Sequence, residues 1–309
     1  MSSLRGWKPW ALAAAVLACG SLALVARNDY LLQVLFRIVL FAGLGLAWNL
    51  VGGFAGQLSL GHAAFFGAGA YGFALLSAAS TPRWVALFLA AVVAAAFAGI
   101  IGRIVFRLRG PYFTLATIAF AEVLRLSVTN LKLTGGAIGL STPALFSGRS
   151  PWGMLYLSAI ALAVTAFVIN VYVAHSRFGY YLMAIREDEE TASAVGIDTA
   201  SYKLRSLLIS AFLTALGGAL YGSAFQFIVP DSVLTIDISL QMAIVTMLGG
   251  AGTLYGPVVG SILLLGAAEV FKNQFQESHL LVYGVLIVLV VLFLPEGVVG
   301  GLQRRFGGR

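Results

Sequence analysis

Apolar runs recur along almost the whole of this chain, each about 17 to 25 residues long, the length at which a helix crosses a hydrocarbon core of roughly 30 Å. Inside lipid a backbone N–H or C=O finds no water, so only helices and closed barrels can span it. No stretch of about ten residues alternates apolar with polar as a barrel strand would. The chain therefore reads as all-α, a polytopic integral membrane protein with about ten transmembrane or re-entrant helices in one domain over residues 1–309. Its 60% hydrophobic and 10% charged content lies outside the range of soluble domains, which agrees with that reading. The runs cover 10–26, 31–51, 58–79, 84–106, 111–130, 152–174 and 207–228. Two more lie within 238–271, separated by the glycine-rich LGGAGTLYGP, and a last one covers 280–294, stopped by Pro295.

The 19 lysines and arginines orient these spans. With the N-terminus in the cytoplasm, 12 of them fall inside, 5 outside, and Arg37 and Arg125 within spans. That asymmetry places both termini and the segment 176–205 in the cytoplasm. Counting the broken pair as a single span would put Arg304 and Arg305 outside, so it is counted as two short segments or one re-entrant unit. The basic residues stand at span ends and form no stripe interleaved with aromatics, which argues against a nucleic-acid partner. The single cysteine, Cys19, leaves no internal disulfide and no cysteine-cluster metal site. Arg5, Lys8 and the apolar run ending at Cys19 resemble a lipoprotein signal, but the run continues to Val25 and is read as a retained first helix.

Against this background, 176–205 is an island: 9 of the chain's 31 charged residues lie between Arg177 and Arg205. The spacing predicts a short helix over 186–195, closed by Gly196 at the C′ position and followed by Asp198 as cap of the next helix. Glu187, Asp188, Glu189 and Glu190 load negative charge toward the helix N-terminus, and small Ala192, Ser193 and Ala194 allow a close approach. Two readings follow: a device that docks into a groove on a partner, or a solvated loop whose charges only keep it out of lipid. A second feature is a pair of similar glycine-rich breaks, 52–61 (GGFAGQLSLG) and 249–257 (GGAGTLYGP), on the same side of the membrane. Broken helices at matching places point to a transport pathway, and an equal alternative is that the glycines serve close helix packing.

The run GYYLMAIREDEETASAVGIDTASYKLRSLLISAFLTALGGAL resembles the cytoplasmic coupling loop of branched-chain amino acid ABC transporter permeases of the LivM-like kind. WNLVGGFAGQLSLGHAAFFGAGAY, RGPYFTLATIAFAEVLR, TGGAIGL and LGGAGTLYGPVVGS carry the same resemblance in the same order. It implies a subunit of an ATP-driven importer in the bacterial cytoplasmic membrane. Its partners would be two ATP-binding ABC subunits, a LivH-like second permease subunit and a periplasmic substrate-binding protein, within membrane lipid. ATP and Mg would be bound by the ATPase partner, and this chain, which contains no Gly-Lys dipeptide and hence no P-loop, would bind no cofactor. Arg186, Glu187, Glu189, Glu190, Ala192 and Gly196 would couple to that partner. Thr191 stands where the family's Glu-Ala-Ala pattern has an alanine. Gly53, Gly56, Gln57, Ser59 and His62 would belong to the translocation pathway, and Thr134, Gly135 and Gly136 to a periplasmic gate. Substrates implied are branched-chain amino acids, or urea, amides and other small polar solutes.

Glu122 and Arg125, three apart on one helix, can pair, although either would also interest an amino acid in transit, so Glu122 joins the translocation-pathway candidates. A secondary transporter would need a relay of buried acids, and apart from Glu122 the spans offer few. An intramembrane hydrolase built on Ser59 and His62 lacks an evident third member. The isolated histidines His62, His175 and His279 and the absence of H-E-x-x-H leave no metalloprotease.

Overall fold

The computed structural model describes residues 28–147 and 150–275, with 284, 297–299 and 301. The run expected at 10–26 lies outside the described residues, as does that at 280–294 apart from Gly284, and so do Cys19 and His279. Among the described residues the named helices follow in order: α1 Asp29–Asn49, extended by a π-helical turn Leu50–Phe54; α2 His62–Ala78; α3 Arg83–Val105; α4 Pro111–Asn130; α5 Pro151–His175; α6 Arg177–Glu187; α7 Glu189–Ala194; α8 Thr199–Phe225; α9 Pro230–Val233; α10 Ile236–Gly249; and α11 Gly256–Phe275. Among the described residues, six helical segments are long and apolar enough to cross a membrane: Asp29–Phe54, Arg83–Val105, Pro111–Asn130, Pro151–His175, Thr199–Phe225 and Pro230–Gly249.

The centre of the bundle is α8, packed on α2 and α3, while α1 packs on α5, α10 and α11. Lipid tails are as apolar as leucine, so helices associate in a membrane through close van der Waals fit and not through release from water. The sequence supplies that fit with small residues. A Cβ added to Gly218 of α8 would stand 1.9 Å from the Phe66 carbonyl oxygen of α2, and one added to Gly69 would stand 2.0 Å from that of Ala215. Backbone meets backbone along this seam. Helix α4 is different: it is the least buried of the six segments, and Tyr112, Leu115 and Val123 on it stand exposed.

At one end of the bundle the 3-10 turns Lys132–Thr134 and Gly136–Ile138 lead into a two-residue strand Leu140–Ser141, antiparallel to Phe227–Ile228. Gly139, at φ +93, lets that ladder close: a Cβ there would lie 2.2 Å from the Ile228 carbonyl oxygen. The opposite end gathers the two glycine-rich breaks, the start of α4 and the polar island. Gly297 lies at this end too, its added Cβ 2.4 Å from the Gly250 nitrogen, although α11 leads away from it.

Two expected boundaries move. The run 58–79 becomes helical only at His62, because residues 58–61 have backbone partners elsewhere: Trp48 Nε1 donates to Ser59 O (2.8 Å), Thr114 Oγ1 to Leu58 O (2.8 Å), and Leu60 N to Thr117 Oγ1 (3.2 Å). The single helix expected over 186–195 is two, α6 and α7, split at Asp188, whose backbone is extended (φ −157, ψ 110) and whose side chain caps α7 by accepting from Thr191 N at 2.7 Å.

Candidate coupling site at the glycine-rich breaks

The first break begins where α1 loosens into its π-turn, and a π-turn leaves carbonyls out of the regular i to i+4 ladder. Side chains from α8 and α10 reach them: Ser206 Oγ donates to Leu50 O (2.8 Å), Ser210 Oγ to Ala47 O (2.7 Å) and Thr246 Oγ1 to Gly45 O (3.0 Å). These hydroxyls are fully buried, and each finds its acceptor in a backbone carbonyl of this region, Ala47 O also accepting from Leu50 N.

The two breaks touch. Asn49, fully buried at the end of α1, accepts from Gly252 N through Oδ1 (2.8 Å) and donates through Nδ2 to Thr253 O (3.1 Å) and to Asn170 Oδ1 (3.0 Å). Asn170 in turn donates to Leu46 O and Ala166 O at 2.9 and 2.8 Å. Every donor of both amides is used, which fixes their orientation. Gly53 is required at this crossing, since a Cβ there would fall 2.6 Å from Gly252 N. Neither asparagine was among the residues expected from sequence; the available signal was an amide side chain within each of two apolar spans.

Ser59 and His62 are brought together but are closed in. Ser59 Oγ lies 2.9 Å from His62 Nδ1, and His62 Nε2 lies 2.9 Å from Ser210 Oγ. Because Ser210 gives its proton to Ala47 O, it accepts from Nε2–H, which leaves Nδ1 to accept from Ser59. Both ring nitrogens are thus engaged within the bundle, with both residues almost wholly buried. Gly56 (φ +66) and Gln57 stand at the surface of the break, with Gln57 Nε2 donating to Ala55 O at 3.4 Å.

The island sits against this junction. Arg186 Nη1 donates to Gly53 O at 2.9 Å. Glu189 turns inward: its Oε1 is 2.6 Å from Nζ of Lys203, whose side chain is wholly buried and lies 5.4 Å from the centre of the Phe106 ring. Ala192 is buried beneath α7. Glu187 and Glu190 face outward; among the described residues Glu190 pairs with Arg109, at 2.8 Å, the two side chains being 82% and 58% exposed. Gly196 takes φ +91 with nothing within 4 Å of an added Cβ, so a left-handed turn and not crowding calls for glycine here. Asp198 accepts from Ser201 N at 3.1 Å and caps α8.

Hydrogen bonding at the caps holds both aspartates below their ordinary value of 3.8, Asp188 chiefly through Thr191 N and Asp198 chiefly through Ser201. A depressed pKa means the cap's contribution is complete above that value and is lost as pH falls through the lower, folded one. Exchange of the Thr191 amide, corrected for intrinsic rate, should therefore keep constant protection between about pH 5 and 8. In Asp188→Ala it should quicken severalfold, whereas Asp188→Asn, still a capping side chain, should stay close to the parent protein.

At the other end, the expected pair forms on α4: Arg125 Nη2 and Nε lie 2.5 and 2.9 Å from the two Glu122 oxygens. Arg125 Nη1 also reaches Asp231 of α9 at 2.6 Å, a partner 106 positions away that sequence spacing could not supply. Thr134 is buried and donates to Val128 O (2.6 Å), while Gly135 and Gly136 carry the positive φ of the turn that ends α4. These three residues close a helix end and lie far along the chain fold from the glycine-rich junction.

Comparison with known proteins places this arrangement. Residues 30–291 match the family model described as the branched-chain amino acid transport system / permease component. The high-affinity branched-chain amino acid transport system permease protein LivM of Escherichia coli K12 is 32% identical, the match covering 94% of this chain and 74% of that one; LivM of Salmonella typhimurium gives the same figures. LivH of Escherichia coli K12 is 25% identical, covering 88% of this chain and 96% of its own. No solved structure shows significant similarity to the chain. With broken apolar helices, a buried polar junction and a family match over most of its length, the chain belongs to the permease components of branched-chain amino acid transport systems.

Proposed function

We propose that this chain provides the translocation pathway of an ATP-driven importer of branched-chain amino acids and receives the motion of an ATPase partner through α7. The observation that carries the reading is the build of that helix. It is six residues long, capped by Asp188 and closed by Gly196, rooted in the bundle by Ala192 and by Glu189 on Lys203. Its other face offers Glu190, Thr191 and Val195 outward at the end where both breaks meet. A rooted helix with an open acidic face suits a groove bearing arginine or lysine. Thr191, in place of the family's alanine, is on that open face.

In this reading ten crossings carry both termini in the cytoplasm, and the position of Gly297 beside Gly250 supports a return of the chain to the island's end. The membrane is the bacterial cytoplasmic membrane. Two ATP-binding subunits hold ATP and Mg, a LivH-like permease completes the pathway, and a periplasmic binding protein delivers substrate. Of the expected pathway set, Gly56 and Glu122 are exposed and Gln57 partly so, the Arg186 stem lying beside Gly56; Gly53, Ser59 and His62 support the first break from beneath. Glu122 faces the other end, tied to Arg125. Thr134, Gly135 and Gly136 act there by closing α4.

The test uses the whole complex in lipid. An exposed pair such as Arg109–Glu190 contributes less than about 1 kcal/mol, so Glu190→Arg leaves the fold intact. Gly196→Val strains the turn by about 1–2 kcal/mol without any clash. Both variants should lose ATPase subunits on copurification or uncouple hydrolysis from uptake. Normal association together with normal uptake in both would sink the assignment. Stimulation of ATP hydrolysis across a panel of amino acids, amides and urea, each presented with the binding protein, identifies the substrate.

A further inference from the structure

We infer that Arg186 is a positioning residue for transport: it fastens the coupling loop to both glycine-rich breaks at once, so that displacement of the loop carries the two breaks together. The inference rests on the reading of α7 as the coupling helix, and gives Arg186 an inward task in place of the partner-facing one that resemblance implies.

Three glycines from the two breaks surround this one side chain. Nη1 donates to Gly53 O at 2.9 Å. A Cβ on Gly252 would lie 2.4 Å from Nη1, and a Cβ on Gly56 would lie 2.7 Å from Cγ. The guanidinium thus lies over the second break while the stem lies over the first. Gly56 and Gly252 take φ of +66 and +80, conformations that favour glycine, and the missing side chains make room for Arg186. The carbonyl it reaches belongs to the last turn of α1, where the helix carries partial negative charge, so a permanent cation is favoured there. Among the described residues no carboxylate pairs with Arg186, which leaves the Gly53 carbonyl as its anchoring acceptor.

The breaks are also joined beneath it. Asn49, one helical turn before Gly53, accepts from Gly252 N and donates to Thr253 O. A pull on Gly53 is therefore shared with 250–256 through a buried amide. On the loop side, Arg186 stands two residues before Asp188, the cap from which α7 starts. Only Glu187 and the extended Asp188 separate the partner-facing helix from the side chain that holds the breaks. Glu190 and Arg186 then divide the work: Glu190 is open to a partner, while Arg186, itself solvent-exposed, gives its hydrogen bond to the break at Gly53 O.

The assembled importer, with its ATPase subunits, LivH-like partner and binding protein, is reconstituted in lipid, and leucine uptake and ATP hydrolysis are measured on the same preparation. Arg186→Met keeps an unbranched stem over Gly56 and removes every donor. Arg186→Lys keeps stem, charge and one donor group. Both should retain the ATPase subunits and continue to hydrolyse ATP, with leucine moved per ATP falling at least tenfold in Arg186→Met and partly restored in Arg186→Lys. Unchanged leucine per ATP in Arg186→Met overturns the inference. Loss of the ATPase subunits from either variant overturns it as well, since Arg186 would then belong to the docking surface or to the folding of the loop. Glu190→Arg separates this from the parent reading: if α7 is not the coupling helix, Glu190→Arg behaves normally, whereas failure of the Arg186 assignment alone leaves Glu190→Arg defective and Arg186→Met normal.

Discussion

Leucine in place of Gly218 is expected to abolish accumulation of folded permease in the membrane. The position lies on the seam between α2 and α8, where an added Cβ would stand 1.9 Å from the Phe66 carbonyl oxygen and 2.7 Å from its carbon. Both obstacles are backbone and cannot rotate away. The helices would have to separate, and separation also withdraws Gly69 from the Ala215 carbonyl. Because close packing and not water drives helix association in lipid, that loss has no compensation. Alanine should already cost about 1–3 kcal/mol, as overpacking does in tight cores. Gly266→Ala on α11 is the control, since its added Cβ meets nothing within 4 Å and alanine favours helix. Thermal unfolding in detergent and membrane yield read the series. Wild-type yield of the leucine variant would show that the seam is not needed.

Glu189→Ala should be the most damaging change in the island. It leaves the ammonium of Lys203, with no exposed side-chain surface, facing the Phe106 ring without a counter-ion. Removing one partner of a buried pair costs about 3–5 kcal/mol; replacing both by apolar groups of similar size is often neutral. Glu189→Leu with Lys203→Met should therefore unfold closer to the parent temperature than Glu189→Ala does. If the double variant is no more stable than the single one, the two side chains do not depend on each other and α7 is rooted by something else. The cycle also separates stability from coupling, because the restored double variant still lacks the carboxylate that orients α7.

Where a boundary is set by local chemistry it could be read from the residues. Helix α4 occupies the expected 111–130 because Pro111 suits a first turn, and α8 starts at the cap Asp198 supplies. Gly196 was recognisable because a helix needs a left-handed residue to turn off its end. The break at Asp188 was not, because an aspartate in a run of acids suits a helix's first turn as well as its cap, and only the backbone angles distinguish them. The late start of α2 depends on Trp48, Thr114 and Thr117 supplying hydrogen bonds from other helices. For the candidate site the limit was distance along the chain. Both breaks were visible as glycine-rich interruptions, but that they touch depends on Asn49 and Gly252, 203 positions apart, and the reach of Arg186 to Gly53 spans 133.

Helix α4 carries one more consequence. It is thinly buried along its length, yet it is gripped near both extremes: Thr114 on Leu58 at the junction end, where Arg109 just ahead of the helix holds Glu190, and Arg125 on Asp231 toward the other. A rod held at its tips and lightly braced between them is the member of a frame that can lean at least expense. Its bare flank must meet lipid or another chain, and either neighbour would feel the lean first.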